Sequence, residues 1–167
     1  MVTLSLDDIY LTHDDQVALA QSHPSNPLLQ HRGQPSTHDL VLGEQVFESL
    51  RAGRPTAIPQ YDKSAFAGQG DRVPQSQWQV VNGDGQEKVK VVIFEGWCVG
   101  FRAWDDQTLR EKWEAAVRLK EQDGNYNGRL GHVKFEDVKA VNDALRKYDG
   151  LTELVALCNL FLSFLIR

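Results

Sequence analysis

Two strand-forming segments, each followed at once by acidic side chains, constrain the fold more than any other feature of the chain. Val2 to Leu6 ends at Asp7 and Asp8, and Lys88 to Phe94 ends at Glu95. The second segment holds four successive apolar residues, which is typical of a strand buried on both faces of a parallel sheet. Helical patterns lie between and after the two segments, so the sequence predicts an α/β fold with a mostly parallel sheet.

The rest of the chain alternates amphipathic helices with irregular loops. Apolar spacing and capping residues predict helices at about Asp14–Gln21, Asp39–Leu50 and Lys134–Tyr148, and a further helix that ends at about Lys120. Asp14 or Thr12 is the predicted cap of the first helix, and Asp105 or Asp106 is the predicted cap of the helix that ends at Lys120. A short edge strand is predicted at Thr56–Pro59. Ser22–His38 and Tyr61–Gln77 are predicted to be polar loops, and loops of that length inside a compact domain are often functional.

Composition narrows the class of protein. The chain has 167 residues, 41% of them apolar, which suits one globular domain. Its net charge of −5 argues against broad binding to nucleic acids or anionic membranes. Cys98 and Cys158 are too few for a disulfide scaffold, and Cys98 is expected to be a packed residue and not a nucleophile. With no secretory signal and no apolar run as long as a membrane span, a cytoplasmic location is predicted.

The acidic residues after the two strands form the first candidate site. Ligands of parallel α/β sheets bind beyond the carboxyl ends of the strands, where Asp7, Asp8 and Glu95 are expected to meet. Such carboxylates can hold Mg²⁺ through water or take a proton from a hydroxyl. The pattern equally fits acids that cap the following helix, and a metal-dependent hydrolase stays open as a further alternative.

Basic and polar residues of the two long loops form the second candidate site. Arg32 can clamp a carboxylate or phosphate, and His38 and Asp39 stand at a helix start, where backbone N–H groups favour anions. Lys63 and Arg72 flank small residues in the second loop, which suits contact with an anion. The alternative is a helix cap with solvated surface charges.

An ordered set of motifs resembles a known family. The segments are Ser5–Thr12, Asn26–Gly33, Thr37–Asp39, Tyr61–Ser64, Gly70–Arg72 and Phe94–Trp97. Their order and spacing resemble the D-glycerate 3-kinase-like P-loop kinases, which are grouped with phosphoribulokinase, uridine kinase and pantothenate kinase. The resemblance is clear from Thr3 to Phe101 and weaker at Val141–Tyr148.

This resemblance implies a P-loop NTPase-like three-layer sandwich and a specific chemistry. The γ-phosphoryl group of ATP would pass to a hydroxyl of a small-molecule acceptor such as D-glycerate, with Mg²⁺. Asp7, Asp8 and Glu95 would be catalytic, and Asp7 and Glu95 would act on Mg²⁺ through water. The residues implied to bind the acceptor are Arg32, His38, Asp39, Tyr61, Lys63 and Arg72.

One departure from the family pattern changes the expectation. No Gly-x-x-x-x-Gly-Lys-[Ser/Thr] sequence occurs between Met1 and Arg167. Residues 1–148 are therefore expected to be a partial P-loop kinase core without its first strand and phosphate-binding loop, inactive by itself. Residues 149–167 are expected to be a divergent apolar tail. The alternative is a non-catalytic remnant that acts as a binding module, with Leu154–Ile166 as a docking surface.

Overall fold

A computed structural model describes residues 1–122, 124 and 126–155, which contain strands, α-helices and short 3₁₀ turns. The strands are β1 (Val2–Ser5), β2 (Thr56–Ile58), β3 (Tyr61–Asp62), β4 (Asp71–Arg72), β5 (Gln79–Val81) and β6 (Val92–Glu95). The helices are α1 (His13–Ser22), α2 (Leu40–Arg51), α3 (Asp106–Gln122), α4 (Phe135–Leu145) and α5 (Asp149–Val155).

The parallel pair β1–β6 is the centre of the architecture. Val2 pairs with Val92 and Ser5 pairs with Glu95, so the two strands end at the same edge. Within the described residues the other pairs, β2–β5 and β3–β4, are antiparallel ribbons. The α/β class with a parallel sheet is confirmed, and the second polar loop contains the small β3–β4 ribbon.

One prediction about the second strand is wrong. The pattern predicted a strand over Lys88–Phe94 buried on both faces, whereas β6 begins at Val92, and Val91 and Ile93 are 52% and 43% exposed. Successive side chains of a strand point to opposite faces. Phe94 therefore packs toward the core, while the opposite face is uncovered within the described part of the chain.

Helix starts follow the predicted capping chemistry. The Thr12 hydroxyl accepts a hydrogen bond from the Asp15 N–H at the start of α1. Asp39 accepts from the Leu42 N–H at 2.9 Å and so fixes the start of α2. Each side-chain oxygen satisfies a backbone donor that the first helical turn leaves free.

The main core lies between the parallel pair, α2 and α5. Leu4, Leu6 and Ile9 are almost fully buried there, and Leu151 of α5 is 1% exposed. A Cβ at Gly43 of α2 would stand 3.0 Å from the side chain of Ile9, so a small residue lets this helix approach the site-bearing segment closely. Most of the segment predicted as an apolar tail, residues 156–167, lies outside the described residues. Within the described part of the chain, no helix is both long and apolar enough to cross a bilayer.

Candidate active site

The acidic residues gather where β1 and β6 end. A short 3₁₀ turn, Leu6–Ile9, follows β1, and the Ser5 hydroxyl accepts from the Asp7 N–H at 3.3 Å. The pKa of Asp8 is raised, first by burial and then by the negative charges of Asp7 and Glu95, against a hydrogen bond from the Tyr61 N–H. The three predicted carboxylates are therefore close enough to interact electrostatically.

Asp7 forms an ion pair with a lysine of the second loop. Its Oδ2 lies 2.6 Å from the Nζ of Lys63 in the second loop. Burial pushes the pKa of Asp7 upward, but hydrogen bonding with Lys63 and Tyr10 and the positive charge of Lys63 outweigh it, and the pKa is lowered. Asp7 is thus held as a carboxylate beside a cation.

Tyr10 connects this carboxylate to the buried interior. Its ring stacks on His38 with centroids 4.3 Å apart, and His38 Nδ1 lies 2.7 Å from the Tyr148 hydroxyl. The Tyr148 hydroxyl also accepts from the Ser36 N–H. Burial lowers the pKa of His38 to about 4, although the charge of Asp7 opposes the shift. His38 is therefore a neutral, buried ring behind Tyr10.

Arg72 and Asp39 also lie behind the site. Arg72 Nη2 donates to the Tyr10 carbonyl at 2.7 Å, and Arg72 Nη1 lies 3.1 Å from Asp39 Oδ2. Asp39 meanwhile caps α2, and its own N–H donates to the Ile9 carbonyl at 2.7 Å. These two charges thus join the second loop and α2 to the segment that carries Asp7.

Arg32 lies in the first loop and binds the backbone of the second loop. Its guanidinium donates to the carbonyls of Gly68 and Gln69 and lies 5.7 Å from the centre of the Tyr61 ring. Gly70 makes this packing possible, because a Cβ there would stand 2.5 Å from the Tyr61 ring and 3.0 Å from Arg32 Nη1. The φ of Gly70 is +82°, a conformation that glycine adopts at little cost.

Gly70→Ala is expected to destabilise the chain by about 1–2 kcal/mol more than Gly68→Ala. Both glycines have positive φ, so an alanine at either position strains the backbone. A Cβ at Gly68, however, meets no atom within 4 Å. Urea unfolding of the two variants measures the difference. Equal losses of unfolding free energy in the two variants would show that Tyr61 and Arg32 leave room for a side chain at position 70.

A cavity of about 790 Å³ opens beside Asp7. Three of the sequence-predicted site residues line it: Asp7, Arg32 and Lys63. The other six do not line it: Asp8, His38, Asp39, Tyr61, Arg72 and Glu95. Polar lining residues that the sequence did not single out as site residues are Tyr10, His13, Gln16, Gln21, Gln30, His31 and Gln69.

The sequence contains a pattern that indicates some of these additional lining residues. His13, Gln16, Ala20 and Gln21 recur at helical spacing after Asp7, which places them along one face of α1. The contributions of His31 and Gln69 depend on loop conformation, which helical spacing does not encode.

Cys98 agrees with its predicted role. It is 2% exposed, and burial raises the pKa of its thiol to about 11. A neutral, enclosed thiol is a poor nucleophile.

The carboxylates at the strand ends fit a magnesium ion bound through water. No group of three or more His, Cys, Asp or Glu side chains in the described residues forms a complete metal cage. Mg²⁺ needs none, since it keeps several waters and usually takes one or two carboxylates together with substrate phosphates. Asp7 and Glu95 offer such hard oxygen donors at one edge of the sheet.

Paired parallel strands with helices packed on them define an α/β fold, and the solved structures that the chain resembles are P-loop NTPase-like kinases. No family model matches the chain. The chain is nevertheless 40% identical to the solved D-glycerate 3-kinase of Cryptococcus neoformans var. grubii, with a TM-score of 0.77 over 92% of this chain and 50% of that one. The chain is a homologue of D-glycerate 3-kinase and of ATP-dependent kinase relatives, which confirms the resemblance found in the sequence.

Two curated relatives agree with this placement. An uncharacterized kinase of Schizosaccharomyces pombe, mug58, is 48% identical over 160 residues, which is 93% of this chain and 54% of the relative. The probable ATP-dependent kinase TDA10 of Saccharomyces cerevisiae is 40% identical over 103 residues, 58% of this chain and 33% of the relative. The chain thus spans about half the length, or less, of the curated relatives it matches.

Proposed function

We propose that the chain is the acceptor side of an ATP-dependent kinase that phosphorylates a hydroxyl of a small hydroxy acid of the D-glycerate type. The observation that carries the proposal is the 40% identity to D-glycerate 3-kinase over 92% of the chain. The lysine-paired carboxylate of Asp7 at the mouth of a cavity supports it. A cytoplasmic location is part of the same proposal and rests on composition.

In this proposal Asp7 acts on the acceptor hydroxyl. Geometry ranks before pKa in choosing a general base, and Asp7 lines the cavity whereas Asp8 does not. Asp7 would accept the hydroxyl proton as the oxygen attacks the γ-phosphorus. Asp8, whose carboxylate accepts the Tyr61 N–H, would position the second loop beside it.

Positively charged side chains near Asp7 suit an acceptor that carries a carboxylate. Lys63 and Arg32 both line the cavity, so a carboxylate can bind next to the hydroxyl that reacts. Arg72 and His38 would act indirectly: Arg72 holds the backbone of Tyr10, and His38 stacks on its ring.

Magnesium, held through water by Asp7 and Glu95, would spread the charge of the transferring phosphoryl group. The nucleotide phosphates would be held by a phosphate loop that lies outside Met1–Arg167, since no such sequence occurs in this chain. The proposal therefore separates acceptor binding, which belongs to this chain, from nucleotide binding.

Calorimetry on the chain and turnover by a chimeric enzyme test whether acceptor binding and nucleotide binding are separated in this way. The 167-residue chain is expected to bind ATP with Mg²⁺ no more tightly than millimolar. A chimera in which this chain replaces the matching half of the Cryptococcus enzyme is expected to form ADP only when an acceptor acid is added. Micromolar ATP binding by the chain alone would contradict the division, and ADP formation that ignores the acceptor would contradict the kinase itself.

A further inference from the structure

One wall of the cavity extends well beyond the charged residues. His13, Gln16, Ala20 and Gln21 line it from α1, together with Val17. Eight residues separate the first from the last, which corresponds to about 12 Å along a helix axis. The carbon chain of a three-carbon acid is only about 2.5 Å from end to end. Glycerate bound at Asp7 would therefore leave most of this wall without contact.

The extended wall is polar and carries no carboxylate, lysine or arginine. Gln16 and Gln21 offer carboxamides from α1, and Gln30 adds another from the first loop. Val17 and Ala20 lie among them on the same helix. Carboxamides bind hydroxyl groups as donors or acceptors, and small apolar side chains pack on C–H groups. This alternation suits a chain of hydroxylated carbons.

Gln16 supplies a more specific indication. Its side chain is nine-tenths buried, and its Nε2 donates to the Leu29 carbonyl at 3.0 Å. Its Oε1 is buried and has no hydrogen-bond partner in the described part of the chain. Buried polar atoms are normally paired, so an unpartnered acceptor on a residue that lines the cavity points to a donor from outside the described residues. A hydroxyl group is such a donor.

We propose that the acceptor is a linear polyhydroxy acid with more carbons than glycerate, and that Gln16 and Gln21 bind its additional hydroxyl groups. This inference rests on the proposed acceptor site. The carboxylate lies near Arg32 and Lys63, the reacting hydroxyl lies at Asp7, and the remaining hydroxylated carbons run along α1.

Equilibrium binding without nucleotide tests the inference directly. D-gluconate and D-erythronate are titrated into the 167-residue chain by calorimetry and compared with D-glycerate. At least one longer acid is expected to bind about tenfold more tightly than D-glycerate, which is the gain from roughly one well-made additional hydrogen bond. Equal or weaker binding of both longer acids overturns the inference and leaves the kinase proposal standing. If no acid binds at all, the acceptor site itself is contradicted as well.

Substitutions in α1 test which residues cause the tighter binding of the longer acids. Gln21 is exposed and makes no side-chain hydrogen bond in the described residues, so Gln21→Ala should fold normally. It is expected to weaken binding of the longer acid about threefold to tenfold and to leave D-glycerate unchanged. Gln16→Met, checked for folding by circular dichroism, is expected to do the same.

Ala18→Gln is the matched control, because Ala18 is exposed on the same helix but does not line the cavity. It is expected to bind every acid like the unmodified chain. If Gln21→Ala weakens D-glycerate and the longer acid equally, the role of α1 in recognising additional carbons is wrong.

Discussion

Asp7→Asn is expected to lower kcat for acceptor phosphorylation by about 100-fold or more in the chimera with the Cryptococcus half. The asparagine keeps the shape of the side chain but cannot accept the hydroxyl proton, and it lacks the negative charge that pairs with Lys63, which lies 2.6 Å from Asp7. Acceptor-dependent ADP release under saturating ATP measures the loss. The expected effect falls on kcat, because the proton moves only as the phosphoryl group is transferred.

Asp8→Asn makes the same chemical change one residue further on. Asp8 accepts the Tyr61 N–H and does not line the cavity, so its loss is expected to lower kcat by less than the loss of Asp7. Turnover of Asp7→Asn equal to that of the unmodified chimera would end its assignment as the base. A larger effect at Asp8 would move that role to Asp8.

The free energy of unfolding is expected to fall by about 3 kcal/mol between pH 6.5 and pH 4, because of His38. The pKa of its buried ring is lowered from 6.5 to about 4, first by burial and against the opposing charge of Asp7. In this window the unfolded chain binds a proton that the folded chain does not, so acid favours unfolding. Each unit of pKa difference corresponds to about 1.4 kcal/mol.

Urea unfolding at several pH values measures this slope, with His38→Gln as the comparison. The variant loses the stack on Tyr10 and is expected to be less stable at pH 7. Its stability should nevertheless change much less than that of the unmodified chain as the pH falls from 6.5 to 4. Parallel curves for the two proteins would show that His38 does not stay neutral in the folded state.

Local patterns in the sequence predicted the elements that position the site. Strand-forming residues followed by Asp7 and Glu95 predicted two strands with acidic ends, and these strands are parallel and end together. Thr12 and Asp39 marked helix starts that the structure confirms. These features depend on near neighbours along the chain, which is why the sequence alone can indicate them.

Long-range packing could not be predicted in the same way. Whether β6 is covered on both faces depends on what lies beside it, and Ile93 is exposed in the described part of the chain. The contact of His38 with Tyr148 joins residues 110 positions apart. The spacing of residues in the second loop predicted that Arg72 contacts an anionic ligand. In the structure its guanidinium is bound to Asp39 and to the Tyr10 carbonyl.

The measurement that tests the account most directly is an NMR titration of the isotope-labelled 167-residue chain with D-glycerate and with D-gluconate, without nucleotide. Saturable shifts are expected for backbone amides around Asp7, Arg32 and Lys63, the predicted site residues that line the cavity. Asp7→Asn removes the negative charge that pairs with Lys63 and should change the pattern at the same residues. If neither acid shifts these signals, or if the shifts concentrate around Gln79–Asn82 and Gln86–Lys90, which line the smaller cavity, the chain is not the acceptor side of a hydroxy-acid kinase.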